Sequence, residues 1–224
     1  MTTADRYEIT SALATALSPY VSIATMGQRT LYTKIARELM DENVLEGWIG
    51  LSNLERWYEQ QATYYSWNAR FWEQRALAAT RRGLWEPAES YAERAVHQHE
   101  DPFTLNTLAV VLLRKAEAME PRSGSRWDYY WRAERALAES RSAGRGEYMH
   151  PYVTFFEYTL RIVADEGATG AAQMATSLAA TWQDWMTRAR QADAFAHARM
   201  REQLERYQFD WLREATSGAG SAPT

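Results

Sequence analysis

Between residues 69 and 102, small residues and one indole recur at the spacing of a helical hairpin, which leaves few folds open to the chain. Trp72, Ala76, Ala79 and Gly83 follow one another at steps of four, three and four, so they share one stripe of a helix. A second stripe, Ala88, Ala92 and Ala95, follows Pro87. Alanine on both stripes lets two antiparallel helices approach closely, while the indole fills the space beside them. Gly83 stands where the first helix must stop, and Pro87 suits the first turn of the second, where its missing N–H is not needed.

This pattern recurs in weaker form. With Ala69 as position one, the next unit starts 33 residues later at Pro102, close to the ~34-residue period of tetratricopeptide repeats. Leu105, Leu108, Ala109 and Leu112 then occupy the apolar stripe in the same phase, and a return helix resumes at Trp127 after a turn-forming stretch from Glu120 to Ser125. Pro151-Tyr152-Val153-Thr154 echoes Pro102-Phe103-Thr104 and opens a third helix, Phe155 to Val163. Arg75 and Ala79 stand where such repeats usually carry a leucine and a tyrosine. The expected fold class is all-α, a superhelix of tetratricopeptide-like hairpins with a long C-terminal helical segment.

A pass along the remaining chain finds helices almost everywhere. Residues 6–17 and 29–40 read as helices, and shorter ones follow over 42–48 and 51–61. Repeat helices are expected over 69–82, 87–99, 103–119, 127–141 and 152–165. Gly167-Ala168-Thr169-Gly170 breaks the pattern before one or two helices over 171–214. Val21 to Thr25 is the only β-prone run and is too short for a sheet. Residues 1–216 are thus read as a single helical domain: N-terminal helices 6–61, hairpins 69–165 and C-terminal helices 171–214. The small-residue tail 217–224 is expected to be disordered.

Composition narrows the function. The chain has no cysteine, so it can form neither a disulfide framework nor a thiolate metal site. Its start is polar, and the uncharged stretch from Ile9 to Gln28 carries too much Thr, Ser, Pro, Gln and Gly for a membrane span; the cytoplasm is the expected location. No phosphate-binding loop or dinucleotide fingerprint occurs, and no cofactor is expected.

The histidines and carboxylates offer no catalytic or metal site either. His97 and His99 lie two positions apart on a helix, roughly 200° around its axis, and so cannot share an ion without unwinding. His150 reads as a loop residue, and His197 lies among alanines with no nucleophile spaced to use it. Glu134 and Glu139 lie among Arg132, Arg135 and Arg141 as a solvated helix face, not as an acid–base pair.

Three binding readings remain. With Ala69 and Pro102 as first positions, the first helix of each unit lines the concave side of a stack. Arg70, Glu73, Gln74 and Arg81 then face a groove in one unit, and Asn106 and Arg114 in the next. Such a mixed surface suits a protein or peptide ligand, with arginine forks as anchors. Secondly, residues 114–145 hold eight cationic against five acidic side chains beside Trp127, Tyr129, Tyr130 and Trp131, which is the make-up of a nucleic-acid platform. Thirdly, Trp182, Trp185, Met186, Ala189, Phe195 and Met200 suit an intermolecular seam of an oligomerisation module.

The segment Trp67–Leu77, followed by Asp101–Ala109, resembles the C-terminal helical-repeat region of large bacterial STAND-type NTPases and related antiviral defence proteins. Blocks Pro19–Ser22 and Glu46–Gly50 are also similar, so the likeness spans about residues 10 to 160. The resemblance implies a sensor region that recognises a foreign protein and releases NTPase and effector domains from autoinhibition. Neither of those domains is present in this chain.

Overall fold

The computed structural model describes residues 1–23, 38–144 and 148–188, and every element among them is a helix. The chain divides into two compact units, Met1–Glu100 and Asp101–Thr224. That boundary falls inside the stretch read from the sequence as one repeat domain.

The first unit contains α1 (Thr3–Ile23), α2 (Glu42–Ile49), α3 (Leu51–Tyr65), α4 (Ala69–Arg81) and α5 (Trp85–Gln98). The β-prone residues 21–23 continue α1. Pro19 lies inside this helix and has no N–H to give the carbonyl of Thr15; the Ser18 hydroxyl donates to that carbonyl instead, at 2.9 Å. The expected helix over 29–40 falls largely outside the described residues, although 38–40 are helical. Asp41 caps α2 by accepting from the N–H groups of Asn43 and Val44, and Asn68 caps α4 through that of Arg70.

Helices α4 and α5 form the hairpin that the alanine stripes predict. Ala76, Ala79, Ala88, Ala92 and Ala95 are all buried. Gly83 has φ 70°, its N–H reaches Thr80 O at 3.0 Å, and the N–H of Leu84 reaches Ala79 O at 3.0 Å. These two bonds make a Schellman turn, which requires the left-handed backbone that glycine adopts at no steric cost. Beside the hairpin, Trp57, Tyr58, Phe71 and Trp72 follow edge to face, with ring centroids 5.2 to 5.6 Å apart.

Arg75 takes the place of the usual leucine without leaving the interior. Its guanidinium pairs with Glu55 and lies 4.2 Å from the centre of the Tyr91 ring, while the Tyr91 hydroxyl donates to the same Glu55 oxygen at 2.9 Å. A buried charge is tolerable only with such partners.

The second unit contains α6 (Pro102–Glu117), α7 (Gly124–Ala143) and α8 (His150–Arg188). Asp101 and Thr104 cap α6 reciprocally, and Pro102 opens it. Helix α7 begins three residues before the expected Trp127, because Ser123 caps it and Arg126, in its first turn, is drawn into the core.

The expected break near residue 167 is a single residue. Gly167 has φ 67° and ψ −150°, a backbone region essentially confined to glycine, and the helix resumes at once. The limbs 150–166 and 168–188 fold back on each other: Tyr152 packs on Trp185 at 5.3 Å and Phe156 on Trp182 at 5.8 Å. Together with Leu112, Leu113, Tyr130 and Leu137 these side chains form the core of the unit. Trp182 and Trp185, read above as an intermolecular seam, are thus spent inside the unit, because the reversal at Gly167 gives them a partner in their own helix. The side chain of Met186, and Ala189, Phe195, Met200 and the tail 217–224, lie outside the described residues.

Candidate binding surface

Helix α4 carries four of the residues assigned to a groove, and the structure gives most of them internal work. Arg70 pairs with Glu73, which is only 2% exposed. Gln74 accepts from the backbone N–H of Glu42 at 3.0 Å, and Arg81 reaches Glu42, Glu46 and the Asn43 side-chain oxygen. Of the four, Glu73 is buried, Arg70 and Gln74 are half-buried and Arg81 is exposed, and Gln74 and Arg81 make their contacts with α2. The repeat spacing defines which residues of α4 avoid α5; it carries no information about what lies on the other side. Burial raises the Glu42 carboxyl above its ordinary pKa against the opposing pull of Arg81, whose own pKa is raised by its hydrogen bond to Glu42.

In the second unit Asn106 is half-buried and Arg114 is exposed. Arg114 lies 3.5 Å from Glu117 and 5.0 Å from the centre of the Tyr158 ring, which Arg161 also covers at 4.3 Å. Glu117 takes a second contact from Arg161 at 3.0 Å, and its burial raises the carboxyl above its ordinary value despite both arginines. Arg114 is thus one member of a surface ion cluster.

Among the described residues 114–144 the cations divide between surface and interior: Arg114, Arg122, Arg132 and Arg135 are exposed, and the others are wholly or partly buried. Lys115 is buried with its ammonium 4.5 Å from the Tyr129 ring centre. Arg126 is 0% exposed and pairs at 2.8 Å with both Asp165 and Glu166. Arg141 packs over Tyr152 and Phe155, and desolvation lowers its pKa. Tyr130 is buried and donor or acceptor to Thr159 at 3.1 Å. Of the four aromatics Tyr130 is buried, Trp127 and Tyr129 are half-buried and Trp131 is exposed, while Lys115, Arg126 and Arg141 act as counter-charges or ring caps.

The surface features that sequence spacing missed are aromatic. Trp48, Tyr64, Trp67, Phe103 and Trp131 are exposed. Trp48 joins Val44 on one side of α2 while Leu45 and Ile49 fill the core from the other, so this eight-residue helix is apolar on two faces. Trp67 lies just before the Asn68 cap and donates its ring N–H to Tyr64 O at 2.8 Å. Phe103 stacks on Tyr148 at 4.4 Å, and Tyr148 on His150 at 5.2 Å, so the histidine read as a loop residue opens α8 within a surface stack of rings. An apolar residue one turn from another on a helix whose core face is already filled was the available signal for Trp48.

Among the described residues no three His, Asp or Glu side chains are gathered to hold a metal ion, and no helix is long and apolar enough to cross a membrane. Comparison with protein families, with curated proteins and with solved structures finds no match to this chain.

Proposed function

We propose that the chain is a protein-binding helical-repeat module of the tetratricopeptide kind. In this reading it is the sensor or ligand-recognition part of a bacterial signalling or defence protein, acts in the cytoplasm and performs no catalysis. The observation that carries the reading is that each unit leaves large aromatic side chains exposed, Trp48 and Trp67 in the first and Trp131 in the second. Tryptophan is costly to leave in water and is the residue most enriched at the energetic centres of protein interfaces. Trp48 and Trp131 stand on packed helices and Trp67 is tied to the Tyr64 carbonyl, so little conformational entropy is lost when a partner covers them. The resemblance of residues 10 to 160 to a sensor region supports the same class of function.

The test is capture from a native cell extract by the full chain, followed by titration with the purified captured protein. A Trp48→Ser, Trp67→Ser, Trp131→Ser variant, shown to be folded by circular dichroism, is expected to bind at least ~10-fold more weakly. Unchanged affinity in the folded variant removes these exposed rings as binding elements. Capture of nucleic acid alone, with affinity falling steeply as salt rises, overturns the protein-binding reading.

A further inference from the structure

Helix α1 is built the wrong way round for a helix that belongs permanently to a core. Over residues 3–18, the buried positions are Thr10, Ala14 and Ser18, with Arg6, Tyr7, Ser11, Thr15 and Leu17 half-buried, so Leu17 is the one branched aliphatic turned even partly inward. The outward side carries Ile9, 41% exposed, and one turn on Leu13, 50% exposed. A packed surface helix normally shows the opposite pattern, with the branched aliphatic residues inward. Helix α3 does follow the rule: it buries Leu54, Trp57, Tyr58 and Tyr65.

The bonds across the α1–α3 seam are correspondingly few. Tyr7 donates to the Gln60 side-chain oxygen at 2.6 Å on the exposed edge, and Arg56 lies 5.6 Å from the centre of the Tyr7 ring. Tyr65 donates to the Ala14 carbonyl at 2.6 Å in the buried middle. The other inward hydroxyls bond only within α1, Thr10 to the Arg6 and Tyr7 carbonyls and Ser18 to that of Thr15. Five polar atoms of these two helices are buried with no hydrogen-bond partner among the described residues: Arg6 Nε and Ser11 Oγ on α1, and Glu55 Oε2, Trp57 Nε1 and Gln61 Oε1 on α3. Ser11 lies between Tyr7 and Ala14 at steps of four and three, on the α1 stripe whose two ends bond to α3. Gln61 stands one turn from both Trp57 and Tyr65 on α3. The closed seam therefore leaves polar groups without partners that water would supply if α1 moved away.

We propose that α1 is a strap that detaches from the first unit as one piece while α3, α4 and α5 remain folded. Among the described side chains, closure against α2 and α3 rests on small residues, half-buried Leu17, two tyrosine hydroxyls and one cation–ring contact, whereas the rest of the unit rests on interlocked aromatic rings and the alanine seam. Segments with little apolar burial open at lower free energy than the global transition. Release uncovers the edge of α3 that carries Arg56, Gln60 and Tyr65, so the unit has a second surface of different chemistry from the closed one. This step does not depend on the identity of any partner.

Residue-resolved native-state hydrogen exchange of the full chain tests it. The amides of residues 7–18 are expected to exchange at least ~10-fold faster than the slowest amides of α3 and α5, through an opening with a small denaturant dependence. Tyr65→Phe is expected to speed exchange in α1 several-fold and to leave α4 and α5 unchanged. Ser11→Ala, a mild change that removes an orphaned hydroxyl, is expected to slow it. Ile9→Ser with Leu13→Ser is expected to leave it unaltered, because these side chains make no closure contact. The proposal is overturned if α1 exchanges at the same free energy as α3 and α5, if Tyr65→Phe accelerates every helix of the unit in parallel, or if the Ile9 and Leu13 changes release α1.

Discussion

The turn between α4 and α5 and the turn between α6 and α7 solve one problem by opposite means. At Gly83 the chain needs a left-handed residue and has a glycine, so two backbone bonds close the turn with no outside help. At Arg122 the chain is also left-handed, with φ 64°, but the residue carries a side chain. There the backbone N–H of Arg122 is held by both oxygens of Glu166, at 2.8 and 3.0 Å, from 44 positions away, and the same carboxylate pairs with buried Arg126. The first turn is local and self-sufficient. The second depends on a charge delivered by the reversal of α8. A strained turn persists when the surrounding structure over-determines it, and here one buried carboxylate performs that role.

The largest test of the contrast is Glu166→Ala. Removing one partner of a buried ion pair leaves Arg126 with its charge in the core, so a loss of ~3–5 kcal/mol is expected in a denaturant titration. A loss under ~1 kcal/mol would mean that Asp165, which is half-exposed, suffices to hold the guanidinium. The local hairpin is probed next by Ala88→Trp, which forces an indole into the alanine seam and is expected to cost ~1–3 kcal/mol or more. Tolerance of that change would show that α4 and α5 can part without penalty, contrary to the burial of Ala76, Ala79, Ala88 and Ala92.

Smaller effects compare the two turns directly. Gly83→Ala places a Cβ on a left-handed residue and is expected to cost ~1–2 kcal/mol, whereas Arg122→Gly removes that strain and is expected to change stability by less than ~1 kcal/mol. If the two substitutions cost the same, backbone strain is not what separates the turns.

The smallest effect is a pH dependence at α2. Burial holds the folded pKa of Glu42 above its ordinary value, so the folded chain binds that proton more readily than the unfolded chain does. The ionised carboxylate therefore costs stability above the folded pKa, and this cost fades as the pH falls through that value towards the ordinary one. Over that interval, the stability of wild type minus that of Glu42→Gln is expected to rise as the pH is lowered. A difference that falls instead would show that pairing with Arg81 outweighs burial.

How far the sequence could be read follows the range of the interactions. Helix positions, the α4–α5 seam, the stop at Gly83 and the start of a helix at Pro102 rest on spacings of a few residues, and these are the parts that the structure matches. The break at Gly167 was legible as a break, but the fold-back that buries Trp185 against Tyr152 was not, since a glycine permits a reversal without setting its direction. Of the residues assigned to a groove, Gln74 and Arg81 could not be placed from their own helix, because their partners come from α2, some thirty to forty positions earlier.

The sequence by itself determined that this protein is built of helices, where most of them begin and end, and which stripes of α4 and α5 meet. The reason is physical: helical periodicity, capping and glycine turns act over one or two turns of chain, and each is written in the residues that carry it out. The tertiary structure alone decided which charges are spent inside. Arg75 on Glu55, Arg81 on Glu42 and Glu46, and Arg126 on Glu166 join residues 20 to 40 positions apart, and an arginine bound for a core looks in sequence like one bound for solvent. It likewise decided that Ile9 and Leu13 face outward, since a helix does not record which of its sides will find a neighbour.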